Sequence, residues 1–205
     1  MKILEIIISD LYAMGIPDAT LQGRKAAGDG PEPAGRTRRG RYSMTDSILK
    51  GKRILVVDDE PDVLETFREI VLIDVPDCHI DEARTYEAAA ALIQTNAYDL
   101  IVLDIMGVRG FDLLEAAVKR NFKVAMLTAH AMTPEALMRS YNMKAHAFLP
   151  KEKLADIVPF LEDVLIHDYA TGWKRLFHKL RPFFNDHFVS DWEKKTGMEW
   201  REWTK

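Results

Sequence analysis

Three aspartates each stand where an apolar run ends. Ile54-Leu55-Val56-Val57 leads into Asp58-Asp59-Glu60-Pro61, and Leu100-Ile101-Val102-Leu103 leads into Asp104. Carboxylates held together repel one another, so such a site needs a cation. An all-oxygen site open to water favours Mg²⁺ or a similar hard ion. Two more polar residues follow the same rule. Thr128 ends the run Val124-Ala125-Met126-Leu127, and Pro150 and Lys151 follow Ala147-Phe148-Leu149. A hydroxyl, an ammonium and a metal together suit a phosphoryl group, because each neutralises or hydrogen-bonds its non-bridging oxygens. The chain has no GxxxxGK[ST] and no GxGxxG, so this group is not expected on a nucleotide cradled by backbone amides. A carboxylate is the expected resting place for it.

The elements that position these groups follow from the same runs. Short β-branched and aliphatic runs bounded by polar or proline residues read as strands buried on both faces. Such strands belong to parallel sheets covered by helices. Strands are predicted near 53–57, 78–83, 99–103, 123–127 and 146–149. Helices are predicted near 61–73, 86–95, 111–120 and 133–142, with a fifth from about 152. Five alternations argue for an α/β, right-handed, doubly wound parallel sheet. Residues just past the strand ends then share the carboxyl edge, where open α/β sheets bind ligands.

Val56-Val57-Asp58-Asp59-Glu60, Leu103-Asp104-Ile105-Met106, Leu127-Thr128-Ala129 and Phe148-Leu149-Pro150-Lys151 resemble the CheY-like receiver domain of two-component response regulators. The resemblance spans roughly residues 52 to 167. It implies the flavodoxin/CheY-like strand order 2-1-3-4-5. It also implies that Asp104 accepts a phosphoryl group from a sensor histidine kinase or phosphotransfer protein. Asp58, Asp59 and Asp104 would hold Mg²⁺ with the backbone carbonyl of Met106. Thr128 and Lys151 would contact the acyl phosphate, and Phe148 would be the aromatic that swings inward as Thr128 is drawn to it.

Taken singly, each residue has a plainer explanation. Asp59 could cap a helix starting at Pro61, Thr128 could be an ordinary strand end, and Lys151 a surface lysine. Their joint register is what points to chemistry. Two rival readings are an unphosphorylated scaffold with the receiver fold and a metal-dependent phosphohydrolase with an aspartate nucleophile. Against the latter, Asp58 and Asp59 are adjacent and the candidate nucleophile follows the third strand. The sequence also departs from the family. Val108 stands where proline is usual, four residues after Asp104. Lys144-Ala145 replaces Gly-Ala, which removes the easy left-handed cap and should strain that helix end or change its shape. Glu152 replaces the proline after Lys151, so the loop is strained or Lys151 arrives by a trans path. His130 reads as an exposed loop residue.

The 205 residues, 47% hydrophobic, suffice for one ordinary domain with extensions. A net charge of −4 argues against a dedicated nucleic-acid binder. The lone Cys78 reads as packing in a reducing cytoplasm. The expected organisation is a basic, disordered extension over 1–43, a receiver over 44–167, and an aromatic-rich helical tail over 168–205. Met44 resembles a natural start, so residues 1–43 could be an over-extended reading frame. Leu165, Tyr169, Trp173, Leu176, Phe177 and Leu180 keep near-helical spacing. The fifth helix is therefore predicted to reach about Leu180, break or kink at Pro182, and be followed by a short helix near 183–195. The tail is too short and too weakly basic for a DNA-binding output domain. Three roles stay open for it: packing back on the receiver, an aromatic patch for self-dimerisation or a downstream protein, and an interfacial membrane helix. Any protein partner is expected on the face of helix four, strand five and helix five together with the tail. No nucleic-acid contact is expected, and membrane contact is the least favoured of the three roles for the tail.

Overall fold

The structure, a computed structural model, describes residues 47–129 and 133–188. The chain alternates β1 (Arg53–Val57), α1 (Pro61–Asp74), β2 (His79–Ala83), α2 (Tyr86–Thr95), β3 (Leu100–Asp104), α3 (Gly110–Lys119), β4 (Lys123–Thr128), α4 (Pro134–Asn142) and β5 (Ala147–Pro150). A 3₁₀ turn (Lys151–Asp156), α5 (Ile157–Ile166) and α6 (Tyr169–His187) follow. The five strands are parallel in the order β2-β1-β3-β4-β5, as expected.

The pattern of burial explains the sheet. β3 is buried at every position and β1 at all but its first residue, so helices cover both faces. Helix starts are set locally. Thr85 and Thr133 accept the amides of Ala88 and Ala136, and Pro134 sits in the first turn of α4. The two edge strands differ. β2 is largely solvent-facing, whereas Ala147, Phe148, Leu149 and Pro150 of β5 are all buried. The cover over β5 includes the tail helix α6.

The fifth helix departs from its sequence expectation at both ends. It starts at Ile157 because a 3₁₀ turn intervenes, and Pro159 then lies in the first helical turn, where its missing N–H is not needed. It stops at Ile166 instead of reaching Leu180. Lys123 Nζ caps it there, donating to the carbonyls of Val164, Leu165 and His167 at 2.8, 2.8 and 3.1 Å. Asp168 then starts α6 by accepting the Thr171 amide at 2.9 Å. Pro182 does not end this helix; α6 runs through it to His187. Pro182 is exposed, so the carbonyl it leaves unbonded can turn to water.

The described part of the tail folds back on the receiver. Trp173 is fully buried, and its indole N–H donates to the Ala145 carbonyl at 2.7 Å. The Tyr169 hydroxyl donates to the Tyr141 carbonyl. Phe184 packs on Phe148 with ring centroids 6.5 Å apart and stacks on Phe188 at 5.3 Å. Outside the helices' own packing, Arg175 and Lys179 of α6 both pair with Asp163 of α5. Cys78 lies just before β2, buried, and burial followed by the Asp99 charge pushes its thiol up to about 11, in keeping with packing. The readings made for residues 1–43, His130, Trp192, Trp200 and Trp203 fall outside the described residues. No helix among the described residues is long and apolar enough to cross a membrane.

Candidate functional site

Asp58 follows β1, Asp104 ends β3, Thr128 ends β4 and Lys151 follows β5, so four parallel strands deliver their polar ends to one edge. Asp58, Asp59 and Asp104 each bring a carboxylate oxygen within 4.8 Å of the others. Asp58 and Asp104 are buried and Asp59 is exposed. Lys151 lies among them, only 2% exposed. Its Nζ is 2.7 Å from Asp58 Oδ2, 2.9 Å from Glu60 Oε1 and 3.2 Å from Asp104 Oδ1. The path to this position is trans, since no peptide bond among the described residues is cis.

Asp59 does not cap the first helix. Glu60 is the N-cap residue, and its amide donates to Asp58 Oδ1 at 3.0 Å. Glu60 is also the site residue that the sequence did not single out. The signal was present as a third acid directly after the pair, but only the fold shows it reaching Lys151. Thr128 is fully buried, beside Pro150 in register. Phe148 is fully buried between the sheet and Phe184. The Met106 carbonyl accepts the Val108 amide, which leaves one lone pair for a cation, while the Met106 side chain is exposed.

The loop after β3 is shaped by close approach. Gly107 has φ +51°, and a Cβ there would overlap the Asp59 carboxylate. A Cβ on Gly110 would overlap the Asp104 carbonyl. Arg109 between them takes a left-handed conformation, φ 55°, and pairs with Asp112 at 2.6 Å. Val108, where the family usually has proline, is buried.

Electrostatics mark the site as short of positive charge. Burial, and next the Asp104 charge, push the Asp58 carboxyl up to about 6 against the pull of Lys151 and the Glu60 amide. Burial and the Asp59 charge likewise raise Asp104, opposed by Lys151 and the Met106 amide. For Lys151, burial acts to lower the ammonium, but Asp58, Glu60 and Asp104 outweigh it and hold it above its usual range. One ammonium thus serves several carboxylates. A divalent cation fits what remains: the donors are carboxylate and carbonyl oxygens, and the exposed side at Asp59 and Met106 admits water to complete the coordination.

The chain belongs to the response regulator receiver domain family, whose sequence model matches residues 54–161. Receiver domains of this family are signalling modules, not turnover enzymes, and the fold and acidic cluster support a phosphoacceptor role here. The chain is 33% identical over 103 residues to the two-component response regulator ARR18 of Arabidopsis thaliana, a match covering 47% of this chain and 15% of that protein. Only a small part of that relative's length is therefore spanned. A CheY-like receiver domain protein from Methanospirillum hungatei matches with 28% identity and a TM-score of 0.50, covering 56% of this chain and 93% of the other. A LuxR-family response regulator from Aurantimonas shares the fold at 21% identity and a TM-score of 0.52, with 57% and 86% covered.

Proposed function

We propose that this protein is the phosphoacceptor of a two-component phosphorelay, with Asp104 receiving the phosphoryl group. The observation that carries this reading is the sharing of the buried Lys151 ammonium between Asp58 and Asp104, at 2.7 and 3.2 Å, beside an acidic cluster open to water on one side. The donor is a phosphohistidine on a sensor histidine kinase or phosphotransfer protein. An Asp104 oxygen attacks phosphorus in line; the new O–P bond forms as the P–N bond breaks. The histidine nitrogen leaves with the electron pair and is protonated. Lys151 moves its contact from Asp104 to a phosphoryl oxygen, and the Thr128 hydroxyl donates to another. Asp58, Asp59, Asp104 and the Met106 carbonyl would hold Mg²⁺, which, when bound, supplies charge neutralisation at the transferred oxygens. Phe148 follows Thr128 as the switch residue. The output is a change in protein–protein contacts in the cytoplasm.

Intact mass spectrometry after incubation with acetyl phosphate and Mg²⁺ tests this. One phosphoryl adduct, lost in Asp104→Asn, is the expected result. No adduct, with the protein folded, would favour the scaffold reading. Sustained turnover of a generic phosphate ester would favour the phosphohydrolase.

A further inference from the structure

An edge strand normally leaves one side open, yet β5 is wholly buried. Aromatic residues of α6 and of its C-cap recur at spacings of four, four, seven and four: Tyr169, Trp173, Phe177, Phe184 and Phe188. Their grip falls on two places. One is the segment leading into β5, where Trp173 bonds Ala145 in the turn and Tyr169 bonds Tyr141 in the last turn of α4. The other is Phe148 in the strand itself, under Phe184.

β5 leads to the acidic site at its C-terminal end, and Phe148 within it shares a sheet face with Thr128. Lys151, the next residue after the strand, is held by Asp58, Glu60 and Asp104. Phe148 pairs in register with Met126, two residues before Thr128, so Phe148 and Thr128 point to the same face of the sheet. A charge change at Asp104 that redirects Lys151 and Thr128 therefore acts on the strand that carries α6.

Resting on the phosphoacceptor reading above, we infer that α6 is an intramolecular latch over the α4–β5 edge, and that a phosphoryl group on Asp104 loosens it. Thr128, drawn toward Asp104, vacates space on the face it shares with Phe148. Phe148 moves into that space and away from Phe184. The remaining hold, the Trp173 and Tyr169 contacts and the Arg175 and Lys179 ion pairs with Asp163, lies in the first part of the helix. Loosening uncovers an apolar edge built to take an aromatic helix, and α6 is the occupant it holds at rest.

Hydrogen exchange read by mass spectrometry on the full chain, with Mg²⁺ and with or without beryllofluoride, tests the latch. Peptides covering 104–110 report occupancy of the site, and peptides covering 169–184 report the latch. Exchange in α6 should quicken roughly tenfold when the site is occupied, within the usual range of coupling between sites. Phe184→Ala threatens the fold, so Phe184→Leu is the companion variant; by linkage it should bind beryllofluoride more tightly. A response at 104–110 with α6 unchanged or slowed would overturn the latch and leave the phosphoacceptor reading standing. Unchanged beryllofluoride affinity in Phe184→Leu would overturn it as well. No response at either place would overturn both readings.

Discussion

Lys151 Nζ sits 2.7 Å from Asp58 Oδ2, with both side chains almost wholly removed from solvent. The pair bridges the ends of β1 and β5, which are not neighbours in the sheet. It therefore holds the carboxyl edge together across the intervening strands.

Removing that cation should be severe. Lys151→Met leaves Asp58 and Asp104 buried without their counter-charge, and breaking a buried pair from one side destabilises by about 3–5 kcal/mol. Urea unfolding at neutral pH measures this. Mg²⁺ should restore part of the loss, because it supplies the missing charge to the same carboxylates. A loss under about 1 kcal/mol would mean that the pair is far better hydrated than its burial indicates.

Gly107 makes room for Asp59. Gly107→Ala adds a methyl group where the Asp59 carboxylate now lies, at a backbone conformation that alanine resists. Mg²⁺ affinity, read by titration calorimetry, should fall at least roughly tenfold, about 1.4 kcal/mol. An unchanged affinity would remove Asp59 from the set of metal-holding residues.

Lys144 replaces the usual glycine and keeps the left-handed conformation, with φ 69°. That conformation costs a non-glycine residue about 1 kcal/mol. Its ammonium lies 4.9 Å from the centre of the Tyr169 ring, a contact that returns about 0.5–1 kcal/mol. Lys144→Gly should therefore change stability by less than about 0.5 kcal/mol. Lys144→Ala keeps the strain, loses the contact and should be the less stable of the two. Thermal or chemical unfolding of both variants separates the contributions, and the reverse order would show that the cation does not offset the strain.

His146 should make the protein sensitive to mild acid. Burial, then the Lys123 charge, push its imidazole down to about 4, and its Nδ1 accepts the Val124 amide at 3.3 Å. The unfolded chain takes up the proton near 6.5. Between these values the unfolded state binds more protons, so stability falls as pH drops from about 6.5 to about 4 and is complete above that window. With discount for partial exposure, the loss is on the order of 2 kcal/mol. Guanidinium unfolding at pH 7 and pH 4.5 should show a smaller difference in His146→Asn than in the parent protein. Carboxylate titrations elsewhere are common to both proteins and cancel in the comparison. An identical pH dependence would show that His146 does not carry the effect.

The sheet and most of the acidic site could be read from the sequence. Ile54 to Val57 and Leu100 to Leu103 are unbroken apolar runs, and their shortness, β-branched content and polar boundaries mark strands covered on both faces. The polar residue ending each run must then lie at one edge, which is why Asp58, Asp104, Thr128 and Lys151 could be placed together. Glu60 escaped because its reach to Lys151 spans 91 residues of chain, and its place directly after the aspartate pair does not by itself show that reach.

The tail was decided by tertiary structure. The apolar spacing from Leu165 to Leu180 fits one long helix as well as two shorter ones. The break is made by Lys123, 41 to 44 residues upstream, whose ammonium caps the end of α5. Pro182 signals a stop in local terms, but at an exposed position of a helix anchored by buried Trp173 and Phe184, packing outweighs the lost backbone bond. The sequence by itself determined which side chains can hold a cation and a phosphoryl group, because chemistry follows residue type and strand ends follow local hydrophobic runs. Only the folded chain decided that the tail's aromatics close over β5, because that choice depends on contacts between segments far apart in sequence, and local periodicity carries no record of them.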